Sequence, residues 1–558
     1  MPPITTLFAL PLRLLLLVSA ILPQSITATP SILTTDVVIL GGGASGTYAA
    51  VRLRDDLNTS ILLIEPHSHL GGSVSTYRVA GTNESFEYGV QSYLPNGPAL
   101  ALFTRFGIAL EPFTANRLSA LNVDIETGRV LTDYTAPSAN ATNAAFGRWL
   151  EVVAKYEHML EPGYWDFPQP GHVPAVLLES FGVFAKREGI EAAVPRIMAI
   201  SGVGSGGIQG LLVLHVFQAF GASLTRDVLS NSLVKPVGSN SLLYERALAR
   251  LQPDVLLEST VQDVRRTSAG VELWVKQGSR EYLIQARRVL YAAPPSLSNL
   301  GPFHPDEKEK AVFEQWAEGG EYIGVAKIDC IPEGVSVNFF PKSASPSNYL
   351  ALKDYPYSLR LDSTGPPGMH LFRVIFGANF TLTAGIFKDL VADSVQKLQD
   401  GGAVTGRCET DFKAVSNHSR PMWKQSAEQI QAGFVQDLYG LQGHRGMWGM
   451  EIMKRVFDAT DKDSKIVWLA HTIPSLSQAT VLHKSGKKKI RCGFCLDGLG
   501  PNAQVPLSLQ GGMPAEKDGR LRLRLELMCG GGVTMVMVTI WVTVRSAMGA
   551  GGCTLSCI

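Results

Sequence analysis

The apolar positions of this chain fall into short runs closed by glycine, and two of those runs frame a helix. Residues 37–40 are apolar throughout and lead directly into Gly41-x-Gly43-x-x-Gly46. An alanine-rich stretch follows, then a second apolar run at 61–64 that ends on Glu65. Runs this short, with no polar alternation, predict parallel strands buried on both faces, and the stretch between them predicts the crossover helix of a βαβ unit. In such a unit Gly41 makes the tight turn, Gly43 lets the backbone approach a pyrophosphate, and Gly46 lets helix and strand pack closely. The first helical residues, Ala44 and Ser45, then offer N–H groups and a positive dipole end to phosphate. Glu65 falls about 20 residues beyond the last glycine, where a carboxylate can bond ribose hydroxyls and disfavours a 2′-phosphate. The pattern predicts a dinucleotide fold that takes NAD or FAD.

Further along, the pattern changes character. Residues 84–94, E-S-F-E-Y-G-V-Q-S-Y-L, read as an edge strand with Gly89 available for close backbone approach. Residues 100–235 read as mostly helical, with helices over 151–160 and 174–186 and breaks at Pro162, Pro168, Pro170 and Pro174. Gly202, Gly204 and Gly207 form a second G-x-G-x-x-G with Asp227 beyond it. Pro195 breaks the run before it, so no strand feeds the turn, and a loop over the active site is expected. Residues 211–220 are apolar on all sides, as in a buried helix. Strand pattern returns over 254–275 and 286–295, then at 334–340 and 369–377, with helices over 386–399 and 423–438 and an aromatic turn at 419–423.

Composition narrows the class. The 558 residues suffice for two or three domains, and 45% hydrophobic with 18% charged residues fits a large core. A net charge of +1 gives no sign of a nucleic-acid or anionic-membrane partner. Arg13, the apolar run 14–22 and the small-residue stretch ending at Ala28 predict a signal peptide over 1–28, with an uncleaved anchor as the alternative. The run is short for a bilayer span, so no stable membrane span is expected. Secretion, or residence in the secretory lumen, would suit the N-glycosylation sequons at Asn58, Asn83, Asn140, Asn379 and Asn417. Asn379, in an apolar run, is expected to be buried. Cys330 and Cys408 are followed by five cysteines crowded beyond residue 490; Cys492-x-x-Cys495 lacks a second ligand pair, so no metal site is expected.

Several of these segments carry a resemblance. Gly71-Gly72, with Ser73 after it, is similar to the second glycine motif of amine-oxidase-like flavoproteins, which favours FAD over NAD. Phe86–Tyr93 resembles the F-D-x-G-x-Q segment that passes near the flavin in that superfamily. Residues 286–295, ending Ala-Ala-Pro-Pro, resemble the exit of the chain from the FAD domain. Together with Gly41–Gly46 and Glu65, these identify residues 34–448 as similar to the beta-cyclopiazonate dehydrogenase family of fungal FAD-dependent oxidoreductases.

The resemblance implies an α/β fold: a Rossmann-like FAD-binding domain of glutathione-reductase-2 or amine-oxidase type with an inserted α+β substrate domain. The FAD domain would comprise 34–98, 238–300 and part of 436–484, and the substrate domain 99–237 and 301–435. Val261 would lie near the adenine, and a large apolar pocket would be roofed by sheet. The implied chemistry is hydride transfer from a C–H bond of a prenylated, terpenoid or alkaloid-like substrate to flavin N5, with cyclisation of the product and reoxidation by molecular oxygen. No cysteine stands in an attachment context, so the FAD is expected to be non-covalent. No catalytic side chain is identifiable; His172, His215 and Tyr164 are candidates by type alone. Two alternatives stay open: an amine oxidase releasing peroxide, and an inactive, poorly flavinated protein.

The resemblance stops at the C-terminus. The family's closing W-x-T-G-A-A element is absent, since Trp448 is followed by Gly449-Met450-Glu451. Residues 485–558 are rich in lysine, glycine and cysteine, with R-L-R-L-R-L-E-L and V-T-M-V-M-V-T-I-W-V-T-V segments. The hypothesis is that this tail reflects a frameshift or retained intron; a continuous transcript encoding 449–558 would sink it.

Overall fold

The computed structural model describes residues 30–449 except 161–163, 165, 203–206, 268, 353–355 and 423, together with the short strands 520–523, 527–529, 532–534 and 540–543. The expected signal segment, the Cys492-x-x-Cys495 pair and most of the tail lie outside those residues.

The apolar runs build the centre of a seven-stranded sheet. Its parallel strands run in the order Val255–Leu256, Ile61–Ile64, Ser31–Leu40, Arg280–Tyr291, Met447–Gly449. Both faces are covered over residues 37–40 and 61–64, which is why those stretches are apolar at every position. Val37, Ile39, Ile61 and Leu63 pack under the helix Ala44–Val51 through Tyr48, Ala49 and Val51. The alternate residues, Val38, Leu40, Leu62 and Ile64, face the antiparallel meander Ser259–Thr267, Gly270–Gln277, Arg280–Tyr291 and its Val264 and Leu273.

A six-stranded sheet forms the second body, in the order Asp411–Met422, Ala317–Lys327, Leu371–Ala378, Tyr357–Thr364, Val335–Phe340, Ser119–Asp124. One face is sealed by the helix Ala384–Asp400, whose Phe387, Val391, Val395 and Leu398 pack on Phe372, Val374 and Phe376. The other face looks toward a helical block running from Ala139–Leu160 to Ala222–Ser230. Trp149 centres that block, with Phe181, Phe184 and Phe217 around its ring. Its indole N–H is satisfied by Phe220 O at 3.2 Å and Thr225 Oγ1 at 3.1 Å, so the large ring is buried without an orphaned donor.

Several expectations are corrected here. The expected 174–186 helix is a 3-10 turn, Ala175–Leu178, followed by the helix Phe181–Glu188. The 423–438 helix is two pieces, Ala427–Ala432 and Phe434–Tyr439, because Gly433 takes φ +111° between them. Residues 419–422 of the expected aromatic turn are instead the end of the strand Asp411–Met422, which lies at the sheet edge and so tolerates Pro421, while Trp423 lies outside the described residues. Asn379 lies past the end of the strand Leu371–Ala378 and is exposed, as are Asn58, Asn83, Asn140 and Asn417. Cys330 and Cys408 form a disulfide that joins loops 78 residues apart. Among the described residues no helix is long and apolar enough to cross a membrane.

Candidate active site

The two glycine motifs meet backbone to backbone at the carboxyl ends of the parallel strands. Gly41 sits at φ +101° and Gly72 at φ +56°, both in the left-handed region. A Cβ on Gly72 would stand 2.8 Å from Gly43 Cα, and one on Gly46 would stand 1.8 Å from Gly41 O. Gly71 N–H bonds Gly42 O at 2.9 Å, locking the second motif over the first. The chain then passes through Ser73, whose carbonyl accepts from Val90 N–H at 3.2 Å and would be 2.4 Å from any Cβ on Gly89. Three segments thus meet backbone to backbone in one place, the candidate cofactor channel. The strand exit lies against it: Ala292 N–H bonds Leu40 O at 2.8 Å, and Ala292 O would meet a Cβ on Gly41 at 2.9 Å.

Glu65 is buried at the end of its strand. Its carboxylate accepts from Gly42 N–H at 2.6 Å, His67 N–H at 3.0 Å and His67 Nδ1 at 2.5 Å. Burial pushes the carboxyl pKa up, but the bonds from His67 and Gly42 outweigh it and hold the group below its ordinary range. Glu65 O also accepts from Ser259 N–H at 3.0 Å, which sets the start of the strand carrying Val261 beside the acid. Val261 itself is half-buried, next to a bulge opposite Trp274 and Val275. The N–H groups of Ala44, Ser45 and Gly46 open the helix without an intrahelical acceptor, as the first turn of any helix does. A Cβ-free cradle, a helix N-terminus and an ionised acid in line fit the pyrophosphate and ribose of a dinucleotide.

Gly89 borders a cavity of about 260 Å³, beside which lie two others of about 490 and 160 Å³. Arg360 and Arg373 line all three. The largest is bounded by Glu87 and Gln91, and the smallest lies between the six-stranded sheet and the helix Val194–Ser201. The expectation of an apolar pocket holds only in part. Met198, Ile200, Phe339, Tyr357 and Ile375 supply apolar wall, but Glu321, Asn338, Arg360 and Arg373 share it. Burial and the neighbouring Arg360 pull the Arg373 pKa down to about 10. Burial pushes Glu87 up to about 7, against hydrogen bonds from Asn240 N–H and the Thr76 hydroxyl.

The candidates by type are placed elsewhere. His172 is exposed and its Nδ1 pairs with Pro170 O at 3.0 Å. His215 is buried with neither ring nitrogen bonded, and burial together with Lys424 drives its pKa to about 3, so it is neutral. Tyr164 packs edge-on against Phe167 in the helical core. None of the three lines the cavities described. Arg373, Arg360, Glu87 and His67 were missed in the sequence. A lone arginine inside the apolar strand L-F-R-V-I-F-G-A was the signal that could have found the first.

The comparisons with known proteins fit this geometry. Residues 39–106 match the NAD(P)-binding Rossmann-like domain. The FAD-dependent oxidoreductase pigF of Monascus ruber is 32% identical over 424 residues, covering 75% of this chain and 87% of that one. The chain belongs to the family of FAD-dependent oxidoreductases that includes beta-cyclopiazonate dehydrogenase. That enzyme, from Aspergillus oryzae, is 28% identical over 412 residues, covering 74% of this chain and 87% of its own. Among solved structures, the CLA-producing fatty acid isomerase from P. acnes superposes with a TM-score of 0.56 at 16% identity, covering 74% of this chain and 93% of that one. At that identity the likeness speaks for the oxidoreductase's fold alone.

Proposed function

We propose that this oxidoreductase holds FAD non-covalently through Gly41, Gly43–Gly46, Glu65, Gly71–Ser73 and Val261, and dehydrogenates a lipophilic small molecule of a fungal secondary-metabolite pathway. The observation that carries the reading is the backbone-to-backbone meeting of both glycine motifs, with Gly89 beside them bordering a cavity. When bound, FAD supplies the two-electron acceptor for a hydride, and molecular oxygen is the proposed final acceptor. The residues do the rest. Gly43 and Gly72 give backbone contact with the pyrophosphate, and Glu65 orients a ribose. The Gly89–Gln91 segment forms the edge between cofactor channel and cavity. The walls of Met198, Phe339 and Ile375 exclude water and seat an apolar substrate body.

Cys330 and Cys408 are joined to each other, so neither is a free thiol that could attach a flavin. The same disulfide and the exposed sequons support a secretory route with glycosylation, a reading that peptide-N-glycosidase treatment tests by mass. Two arginines in the cavity wall argue against a protonated amine as substrate, and so against the amine-oxidase alternative.

The test is the visible spectrum of purified protein over roughly 350–500 nm, before and after denaturation. Two flavin bands released on denaturation support the reading. A colourless protein that takes up no added FAD sinks it and favours the inactive alternative.

A further inference from the structure

We propose that Arg373 anchors an anionic oxygen group of the substrate, a carboxylate or an enolate, at the junction of the three cavities. The inference deepens the proposed function and rests on it for the identity of the pocket. Arg373 is the only charged residue of the strand Leu371–Ala378, and its neighbours along that strand are buried and apolar. Its Nε donates to Tyr88 O at 3.0 Å, and no other bond of its guanidinium is made among the described residues. The two Nη groups are thus left available beside the cavities that Arg373 lines. A half-buried guanidinium with one carbonyl bonded to it has donors left for another oxygen partner.

The nearby carboxylates answer its charge only through space, without a direct ion pair. Asp362 lies directly across the ladder from Arg373, yet it pairs with Arg360 at 2.9 Å and accepts from Ser336 Oγ at 2.6 Å. Glu321 contributes to the field at Arg373 and lines the smallest cavity, but makes no ion pair with it. With Nε fixed, the Nη pair presents the flat fork that matches two oxygens of a carboxylate or the oxygens of an enolised dicarbonyl. The Tyr88 bond also fixes that fork one residue from Gly89, so the anion would be held at a set distance from the cofactor channel. The apolar remainder of the ligand would then extend along Ile375, Phe339 and Met198.

The test uses octanoate and 1-octanol as probes on the full chain, followed by thermal unfolding, with the flavin spectrum recorded on the same preparation. Octanoate is expected to raise the melting temperature saturably and octanol is not. Arg373→Gln should weaken the octanoate effect about tenfold or more, and Arg373→Lys should retain part of it. Equal shifts from both probes in the unmodified protein, or an Arg373→Gln protein that still discriminates, overturns the proposal. The unmodified comparison keeps the test decisive if Arg373→Gln fails to fold. Flavin present without discrimination rejects the anchor alone; discrimination in a protein that binds no flavin supports the anchor and rejects the oxidoreductase reading.

Discussion

Replacing Gly72 with alanine isolates the contact on which the cofactor channel depends. Gly72 sits at φ +56°, where an L-residue pays about 1–2 kcal/mol. The new methyl would also stand 2.8 Å from Gly43 Cα, well inside the roughly 3.5 Å of an ordinary carbon contact. Because the obstacle is backbone, relief requires the two glycine motifs to separate by several tenths of an ångström, an overpacking of about 1–3 kcal/mol. Gly81 provides the control. It has φ +76° and nothing within 4 Å of a Cβ, so Gly81→Ala carries the backbone strain without the clash. We expect Gly81→Ala to lose about 1–2 kcal/mol in urea unfolding and to keep its flavin. Gly72→Ala should lose about 2–5 kcal/mol in total, and, since bound pyrophosphate forbids the motifs to part, its FAD dissociation constant should rise at least about tenfold. The assays are urea melts and titration of deflavinated protein with FAD, followed by absorbance. If Gly72→Ala matches Gly81→Ala in both, the packing of Gly43 against Gly72 is not what shapes the site.

Three further outcomes follow from the geometry. Burial raises the Glu87 carboxyl from 4.5 to about 7, so its stabilising share is full below pH 4.5 and is lost as pH rises through about 7; Glu87→Gln should remove a decline of about 2–3 kcal/mol across that window in pH-dependent melts. The disulfide Cys330–Cys408 spans 78 residues, so Cys330→Ser with Cys408→Ser should cost about 2–4 kcal/mol, and reductant should lower the melting temperature of the unmodified protein but not of the double variant. Arg266 and Glu309 form an ion pair with side chains 0% and 1% exposed, so Glu309→Ala should cost about 3–5 kcal/mol by stranding the guanidinium, read as a shift in urea midpoint at unchanged slope.

What the sequence disclosed and what it hid divide by the range of the interactions involved. The strand–glycine–helix–strand unit is local: each residue's role is set by neighbours within one βαβ turn, so 37–46 and 61–65 could be read directly. The second sheet is not local. Ala317–Lys327 carries Gly319, Gly320 and Gly324 in a stretch that reads as loop, yet it is a central strand. Gly324 is there because a Cβ would stand 2.9 Å from Ala414 O and 3.2 Å from the Phe412 ring, and both neighbours come from a strand about 90 residues further on. Tyr357–Thr364 and Asp411–Met422 were missed for the same reason: their partners, not their own pattern, hold them extended.

The substrate site shows the same division more sharply. Gly89 was recognisable as a residue that lets something approach, but what approaches it in the structure is Ser73 O. Arg373 draws its meaning from Tyr88 O, from Arg360, and from an Asp362 that lies opposite it and pairs elsewhere. None of those relations is encoded in spacing along the chain. An arginine in the middle of an apolar strand is a violation of local pattern, and such violations collect where a chain is built for a ligand rather than for its own core. That argument also ranks the candidates by type. His215 breaks the pattern of its helix too, but it is buried in a helix whose Val213, Leu214, Val216 and Phe217 are also buried and it lines none of the three cavities, whereas Arg373 borders all three. Of these two incompletely bonded polar side chains, the one that borders a cavity is the one placed to meet a substrate.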